Sequence, residues 1–291
     1  MGPTVYLNGK LVPSSEAFVS IYDHGFLYGD GVFEGIRVYN RKVFKLKEHI
    51  TRLYQGTKAI GIEIPIPKEE FIKTVLEVVE TNEVIDGYIR VTVTRGVGLG
   101  LDPRVCKTPT IVISTDQLAL YPQELYDKGL DVITCSTRVP PAQSLETRIK
   151  STGKYVCNIQ AKMEANRVNA GEGLMLNVEG YVAECTGDNL FIIKDGKIYT
   201  PPTAAGILEG VTRDTAIQLA RDAGYEVIEM TMTLYDIYSS DECFLTGTAA
   251  EIIPAVTLDG RKIGTGKPGE VTVKLIQAFH ALTRESKMSN E

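Results

Sequence analysis

SLETRIKSTGKYVCNIQAKMEANRVNAGEGLMLNVEGYVAECTGDNLF, residues 144–191, is the stretch on which the reading of the chain turns. It sets one lysine, Lys150, just ahead of a helical pattern, with a tyrosine at Tyr155. A carboxylate, Glu184, follows, and after it the polar turn Thr186-Gly187-Asp188-Asn189. A lysine condenses with a carbonyl cofactor only when its amine is deprotonated, which burial or a cationic neighbour such as Arg148 encourages. A buried acid can then anchor a heterocyclic nitrogen and hold its proton. Taken alone, Lys150 is equally a solvated lysine at a helix start and Glu184 a strand-end acid, because most lysines are surface residues. The remainder of the chain has to decide.

With 291 residues the chain can bury one large core or two ordinary ones, and two is the expectation. Thirty-one Lys and Arg against 37 Asp and Glu give a formal net charge of −6, which offers no electrostatic footprint for nucleic acid or anionic lipid. Small-molecule chemistry fits better. The opening MGPTVYLNGK has neither the basic nor the apolar region of a secretory signal, and no apolar run reaches membrane-spanning length. Five scattered cysteines without a CxxC pair indicate neither a disulfide framework nor a zinc site, so a reducing cytoplasm is expected. His24, His49 and His280 lie far apart, leaving metal chemistry without a candidate.

Hydrophobic periodicity divides the chain in two. The first part reads as a hairpin turning at Asn8-Gly9, a ribbon turning at Asn40-Arg41, two helices after Lys47 and Pro67, and two strands, GYIRVTVTRG and TPTIVIST. In the first of those strands Ile89, Val91 and Val93 should face one side and Tyr88, Arg90 and Thr92 the other. The apolar pattern then lapses. A domain over 1–117 is therefore expected, a linker over 118–129 that includes a short helix opened by Pro122, and a second domain over 130–291. In the second domain, Val156, Ile159, Met163 and Val168 mark the expected buried stripe of the helix after Lys150. A meander of strands follows, then a helix with Thr212 as cap and Ile217, Leu219, Ala220 and Ala223 inward. A last helix is expected near Gly269 to Thr283.

Two glycine-containing turns look like anion sites: Leu208-Glu209-Gly210-Val211-Thr212, feeding a helix, and Thr246-Gly247-Thr248-Ala249-Ala250, following a strand. Free backbone N–H groups at a helix start, and a hydroxyl beside a glycine, suit a phosphate monoester. An ordinary cap and an ordinary turn are the plain alternatives. Arg52, in KEHITRL, supplies a bidentate charge for the same ligand or else a solvated helix face. Tyr88 and Arg90 could bind a carboxylate, though a cross-strand pair with an acid is as plausible a use of the arginine. GVGLG at 96–100 is no dinucleotide motif, since Asp102-Pro103 stands where a third glycine and a helix belong. GTGKPG at 264–269 has Pro268 where a Walker loop needs Ser or Thr.

The segments HGFLYGDGVFEGIR, KEHITRL, GYIR, KSTGKY, YVAECTGDNLF, LEGVTRD and TGTAAEI appear in one order across nearly the whole chain. That ordered set resembles the class IV aminotransferases that use pyridoxal 5'-phosphate, and most closely the branched-chain amino acid aminotransferases. The resemblance implies an α/β (α+β) chain with a two-domain fold type IV architecture: a small α/β domain and a larger pseudo-barrel α/β domain. It implies that Lys150 is the Schiff-base lysine, that Glu184 binds the pyridine nitrogen and that Tyr155 lies near the phenolic oxygen, with Gly187 also at the cofactor. Arg52, Val211, Thr212 and Thr248 match the phosphate cradle, with Leu208, Gly210 and Gly247 contributing backbone. Tyr28, Phe33, Tyr88, Arg90, Thr248 and Ala249 match the substrate pocket. The implied partners are amino acids and 2-oxo acids, and a homodimer or higher homo-oligomer in which GVGLGLDP reaches the neighbouring subunit's pocket, giving Leu99 and Leu101 a reason to be apolar in a loop.

Three residues depart from that pattern. Val91 follows the YIR triplet where many branched-chain enzymes have proline, Cys185 stands beside the acid where glycine is common, and Lys154 adds a charge near the cofactor. The expected activity is transamination between L-leucine, L-isoleucine or L-valine and 2-oxoglutarate by a ping-pong route. A D-amino acid transaminase or an aminodeoxychorismate lyase on the same scaffold is the nearest alternative, and a non-catalytic binding protein that kept the fold is the alternative from another class.

Overall fold

A computed structural model describes residues 2–117 and 121–285. The chain divides into two compact units, and the division does not follow the sequence in two blocks: residues 2–117 are joined by Ile149–Lys154, while 121–148 and 155–285 form the second unit.

The first unit contains β1 (Thr4–Leu7), β2 (Lys10–Pro13), α1 (His24–Tyr28), β3 (Gly31–Tyr39), β4 (Lys42–Val43), α2 (Leu46–Ala59), α3 (Lys68–Thr81), β5 (Gly87–Thr94) and β6 (Thr110–Asp116). Its sheet runs β2-β1-β6-β5-β3-β4, antiparallel throughout. Two tight turns set its registers, with Asn8 and then Asn40 and Arg41 at positive φ, as primed hairpin turns require. One sheet face packs on α2 and α3: Val32, Ile36 and Val38 of β3 and Ile89, Val91 and Val93 of β5 meet Ile50, Leu53, Phe71 and Val75. Each such buried side chain contributes roughly 1.5–3 kcal/mol. Alternation leaves Tyr88, Arg90 and Thr92 on the opposite face, half-buried.

The second unit contains α4 (Gln123–Lys128), β7 (Leu130–Thr134), α5 (Tyr155–Arg167), β8 (Glu172–Leu176), β9 (Val182–Cys185), β10 (Asn189–Lys194), β11 (Lys197–Thr200), α6 (Val211–Asp222), β12 (Val227–Glu229), α7 (Leu234–Tyr238), β13 (Glu242–Gly247), β14 (Glu251–Leu258), β15 (Arg261–Lys262) and α8 (Glu270–His280). The sheet runs β12-β11-β10-β13-β14-β7-β8-β9, with β15 on β14. The short turn after β9 leads straight into β10, and the Cys185 N–H donates to the Asp188 carbonyl at 2.8 Å, so the far edge of the sheet curls back toward its third strand. Leu174, Val182, Leu190, Leu245 and Ile253 fill the interior of that curl.

Five expectations need correction. The stretch 118–129 is not a free linker: 118–120 lie outside the described residues, but α4 packs in the second unit through Leu125. On α5 the apolar stripe faces outward, with Val156 60%, Ile159 60%, Met163 51% and Val168 61% exposed, while Asn158, Ala161 and Ala165 face the core. Small residues let this helix approach the sheet closely, and size rather than hydrophobicity chose its inner face. Thr212 sits inside the first turn of α6; Gly210 is the N-cap and makes no side-chain cap bond. Ala223 is the exposed C-cap of that helix, and α8 ends at His280, after which Ala281–Glu285 widens into a π turn.

Candidate active site

In the first unit, Lys150 rides on the six-residue strap Ile149–Lys154. The strap is sewn to the start of β3: Phe33 donates its N–H to the Lys150 carbonyl at 3.0 Å, Thr152 donates to Gly31 at 2.9 Å and Gly153 to Gly29 at 3.0 Å. Lys150 Nζ lies 4.9 Å from the centroid of the Phe33 ring. Arg90 covers the same ring, its guanidinium carbon 3.5 Å from the centroid, and its Nε reaches Thr92 Oγ1 at 3.3 Å. The arginine therefore stacks on an aromatic face rather than serving as a cross-strand partner to an acid. Tyr88 crosses the neighbouring strand over Gly35, where a Cβ would collide with Tyr88 Oη. Tyr28 is exposed, and its hydroxyl accepts the Gly100 N–H at 3.1 Å, which ties the 96–101 loop to α1.

Arg52 is not on a solvated helix face. Its Nε and Nη2 grip both oxygens of Glu34 at 2.7 and 2.8 Å, and His49 Nδ1 lies 2.7 Å from the same carboxylate. Glu34 is fully buried, on the helix-facing side of β3. Burial alone would raise its carboxyl, but the Arg52 guanidinium and the His49 bond prevail and bring it down to about 2. Burial also holds His49 below the usual imidazole range, a shift to which the Lys150 charge adds. Arg148, the cation expected to influence Lys150, is exposed, belongs to the second unit and is bonded to Glu146 at 3.0 and 2.8 Å. Lys154, the added charge, is fully buried in the first unit.

In the second unit, Tyr155 opens α5, half-buried. Glu184 is buried on β9, and its Oε2 accepts the Leu208 N–H at 2.7 Å. Asn189 is the hub of the arrangement. Its Nδ2 donates to the Leu208 carbonyl at 2.9 Å, its backbone pairs with Thr246, and its Oδ1 occupies the space that a Cβ on Gly210 would need. Gly247 is walled in the same way, since a Cβ there would strike Asp188 Oδ1. Glu184, Leu208, the Gly210-Val211-Thr212 start of α6 and the Gly247-Thr248-Ala249 turn are thereby brought together. Gly187 has open space beside it. Cys185 points into the core, where burial pushes its thiol well up and leaves it unreactive.

In the second-unit cluster, α6 begins on a glycine that offers no side-chain cap. The first N–H groups of α6 lack intrahelical acceptors, as at every helix start, and no capping side chain supplies one. Thr246 Oγ1 in this unit and Ser151 Oγ in the first are buried without a hydrogen-bond partner among the described residues. Sequence reasoning missed Glu34, His49 and Asn189 as functional supports. The signal was present: an acid at an inward position of β3, a histidine three residues before Arg52 on one helix face, and an amide opening the apolar strand NLFIIK. Among the described residues there is no cluster suited to a metal ion, and no helix is long and apolar enough to cross a membrane.

Comparison with known proteins agrees with this layout. The family pattern described as Amino-transferase class IV matches residues 31–258. A putative branched-chain-amino-acid aminotransferase of Methanocaldococcus jannaschii is 49% identical over 276 residues, covering 94% of each chain. The crystal structure of the Escherichia coli branched-chain amino acid aminotransferase superposes with a TM-score of 0.95 at 33% identity, over 100% of this chain and 97% of the other. The branched-chain amino acid aminotransferase of Thermobaculum terrenum, crystallised in its PLP-form, gives 0.89 at 31% identity, over 97% and 94%. A match that spans both units, and that takes in the strap lysine, the buried acid and the two glycine turns, settles the affiliation: this chain belongs to the class IV aminotransferases.

Proposed function

We propose that the protein is a pyridoxal 5'-phosphate-dependent aminotransferase that moves an amino group between L-leucine, L-isoleucine or L-valine and 2-oxoglutarate. What supports this most directly is the Asn189-centred cluster, which sets a buried carboxylate beside an uncapped helix start and a glycine turn. When bound, pyridoxal 5'-phosphate supplies an aldehyde carbon and a ring that accepts electrons. Lys150 would hold it through the side-chain amine, and the same amine is the base that would take the proton from the substrate α-carbon. Glu184, held by the Leu208 N–H, keeps a proton on the ring nitrogen. Tyr155 donates toward the phenolic oxygen.

The phosphate falls to the N–H groups of Val211 and Thr212, the Thr248 hydroxyl and Arg52, whose fork is oriented by Glu34. Phe33 and Tyr28 form the apolar wall for a branched side chain, and Arg90, Tyr88 and the Thr248-Ala249 turn receive carboxylates. The working unit is a homodimer or larger homo-oligomer, with the exposed Leu99 (67%) and Leu101 (81%) inserted into a neighbouring copy. Five free cysteines fit a cytoplasmic setting.

Incubation with pyridoxal 5'-phosphate should give a near-visible absorbance band, and borohydride should then fix a pyridoxyl label on Lys150. L-Leucine should convert the band in a half-reaction that D-alanine does not drive. A Lys150→Ala protein that still turned over leucine, or a label on any other lysine, would overturn the assignment.

A further inference from the structure

β13 and β14 are joined by the three-residue turn Thr248–Ala250, with Gly247 opposite Glu251 across the ladder. Glu251 has φ +59. A three-residue hairpin loop commonly ends on a left-handed residue, and glycine takes that role because a Cβ is disfavoured there. Here the position is held by a glutamate, and its carboxylate is buried. A buried carboxylate is tolerated only when paired. His280 Nε2 lies 3.1 Å from Oε2, and Arg284 Nη2 lies 3.2 Å from each oxygen. His280 ends α8 and Arg284 lies in the π turn that follows, so the C-terminal helix is tied by charge to the residue that closes the turn. Glycine would satisfy the backbone better; what glutamate adds is the tether.

We infer that Glu251 is a positioning residue: gripped by His280 and Arg284, it holds the Gly247–Ala250 turn in the conformation that presents backbone N–H groups to the carboxylate of the substrate. The inference rests on the aminotransferase reading above, but it concerns the turn and not the chemistry. Loosening the tether should weaken capture of both substrates while leaving proton transfer at Lys150 intact. A purely structural glutamate would instead lower thermal stability and leave KM alone.

The test compares Glu251→Gly, Glu251→Gln and Arg284→Ala holoenzymes with the parent. Glu251→Gly and Arg284→Ala should raise KM for L-leucine and 2-oxoglutarate about tenfold with kcat changed by less than about threefold. Glu251→Gln, which keeps shape and acceptor, should fall between them and the parent. Independently of turnover, amide hydrogen exchange at residues 247–250 should speed up by about tenfold in Glu251→Gly. Unchanged KM together with unchanged exchange refutes the role, as does a loss confined to melting temperature. If Glu251→Gly does not fold, Arg284→Ala, whose side chain is half-exposed, carries the same two readouts. A parent enzyme inactive on leucine would overturn the substrate assignment, while the exchange measurement would still judge the tether.

Discussion

Removing the Glu34 carboxylate should be felt twice, in stability and in cofactor retention. Glu34 is fully buried and receives two bonds from Arg52 and one from His49. Its folded carboxyl is held at about 2 against an ordinary 4.5. At about 1.36 kcal/mol per pH unit, that difference corresponds to about 3 kcal/mol of folding free energy at neutral pH. Because the folded value is depressed, the stabilisation is complete above pH 4.5 and disappears as the pH falls toward 2. Glu34→Ala should therefore cost about 3–5 kcal/mol at pH 7, since Arg52 and His49 are left buried without their shared acceptor. Glu34→Gln should cost less. Urea unfolding followed by circular dichroism at pH 7 and again at pH 3 reads the effect. The gap between parent and variant should shrink at pH 3 to about half or less of its neutral value. Pyridoxal 5'-phosphate affinity should also fall, by about tenfold, because Arg52 loses the support that aims its remaining donors. A penalty below about 1 kcal/mol at pH 7, or a gap of equal size at both pH values, would refute the reasoning.

Gly247→Ala should place a methyl group against Asp188 Oδ1, lower stability by about 1–3 kcal/mol and weaken cofactor binding, as thermal melts with and without added pyridoxal 5'-phosphate will show. Glu164 accepts bonds from the backbone and hydroxyls of Ser136 and Thr137, between 2.6 and 3.0 Å, and these bring its carboxyl down to about 2 against the opposing effect of burial. Glu164→Ala should cost about 1 kcal/mol in urea unfolding at pH 7, since water screens this open carboxylate, and progressively less below pH 4.5, because the end of β7 loses its fastening to α5. Ile159→Asp on the outward stripe of α5 should change monomer stability by less than about 0.5 kcal/mol. If that stripe contributes to self-association, sedimentation of the same variant will show a shift toward smaller species.

Much of the fold was legible because local signals agreed with one another. The Asn8-Gly9 and Asn40-Arg41 turns and the period-two strand carrying Ile89, Val91 and Val93 lie where the pattern put them. What the pattern could not convey was contact. On α5 the buried side is chosen by how close the backbone must come to the sheet, so Ala161 and Ala165 go in and Ile159 stays out. Arg52 was singled out from its motif, but the carboxylate that it grips lies 18 residues earlier on β3, and no spacing rule links a strand to a helix at that separation. Asn189 was visible only as part of a polar turn; its place between Leu208 and Gly247 follows from a strand pairing with Thr246 that the sequence does not announce. The placement of Lys150 was hidden for the same reason, because a six-residue return to the first unit leaves no compositional trace.

That return has an implication for engineering and for inheritance. Lys150 is encoded in the middle of one unit yet stitched by its backbone into the other, so cutting the gene at residues 118–120 separates it from the strand it is laced to. Neither fragment could be exchanged, as a module, for its counterpart in a relative, and recombination that respects the apparent boundary would still part Lys150 from its footing. The two halves must descend together.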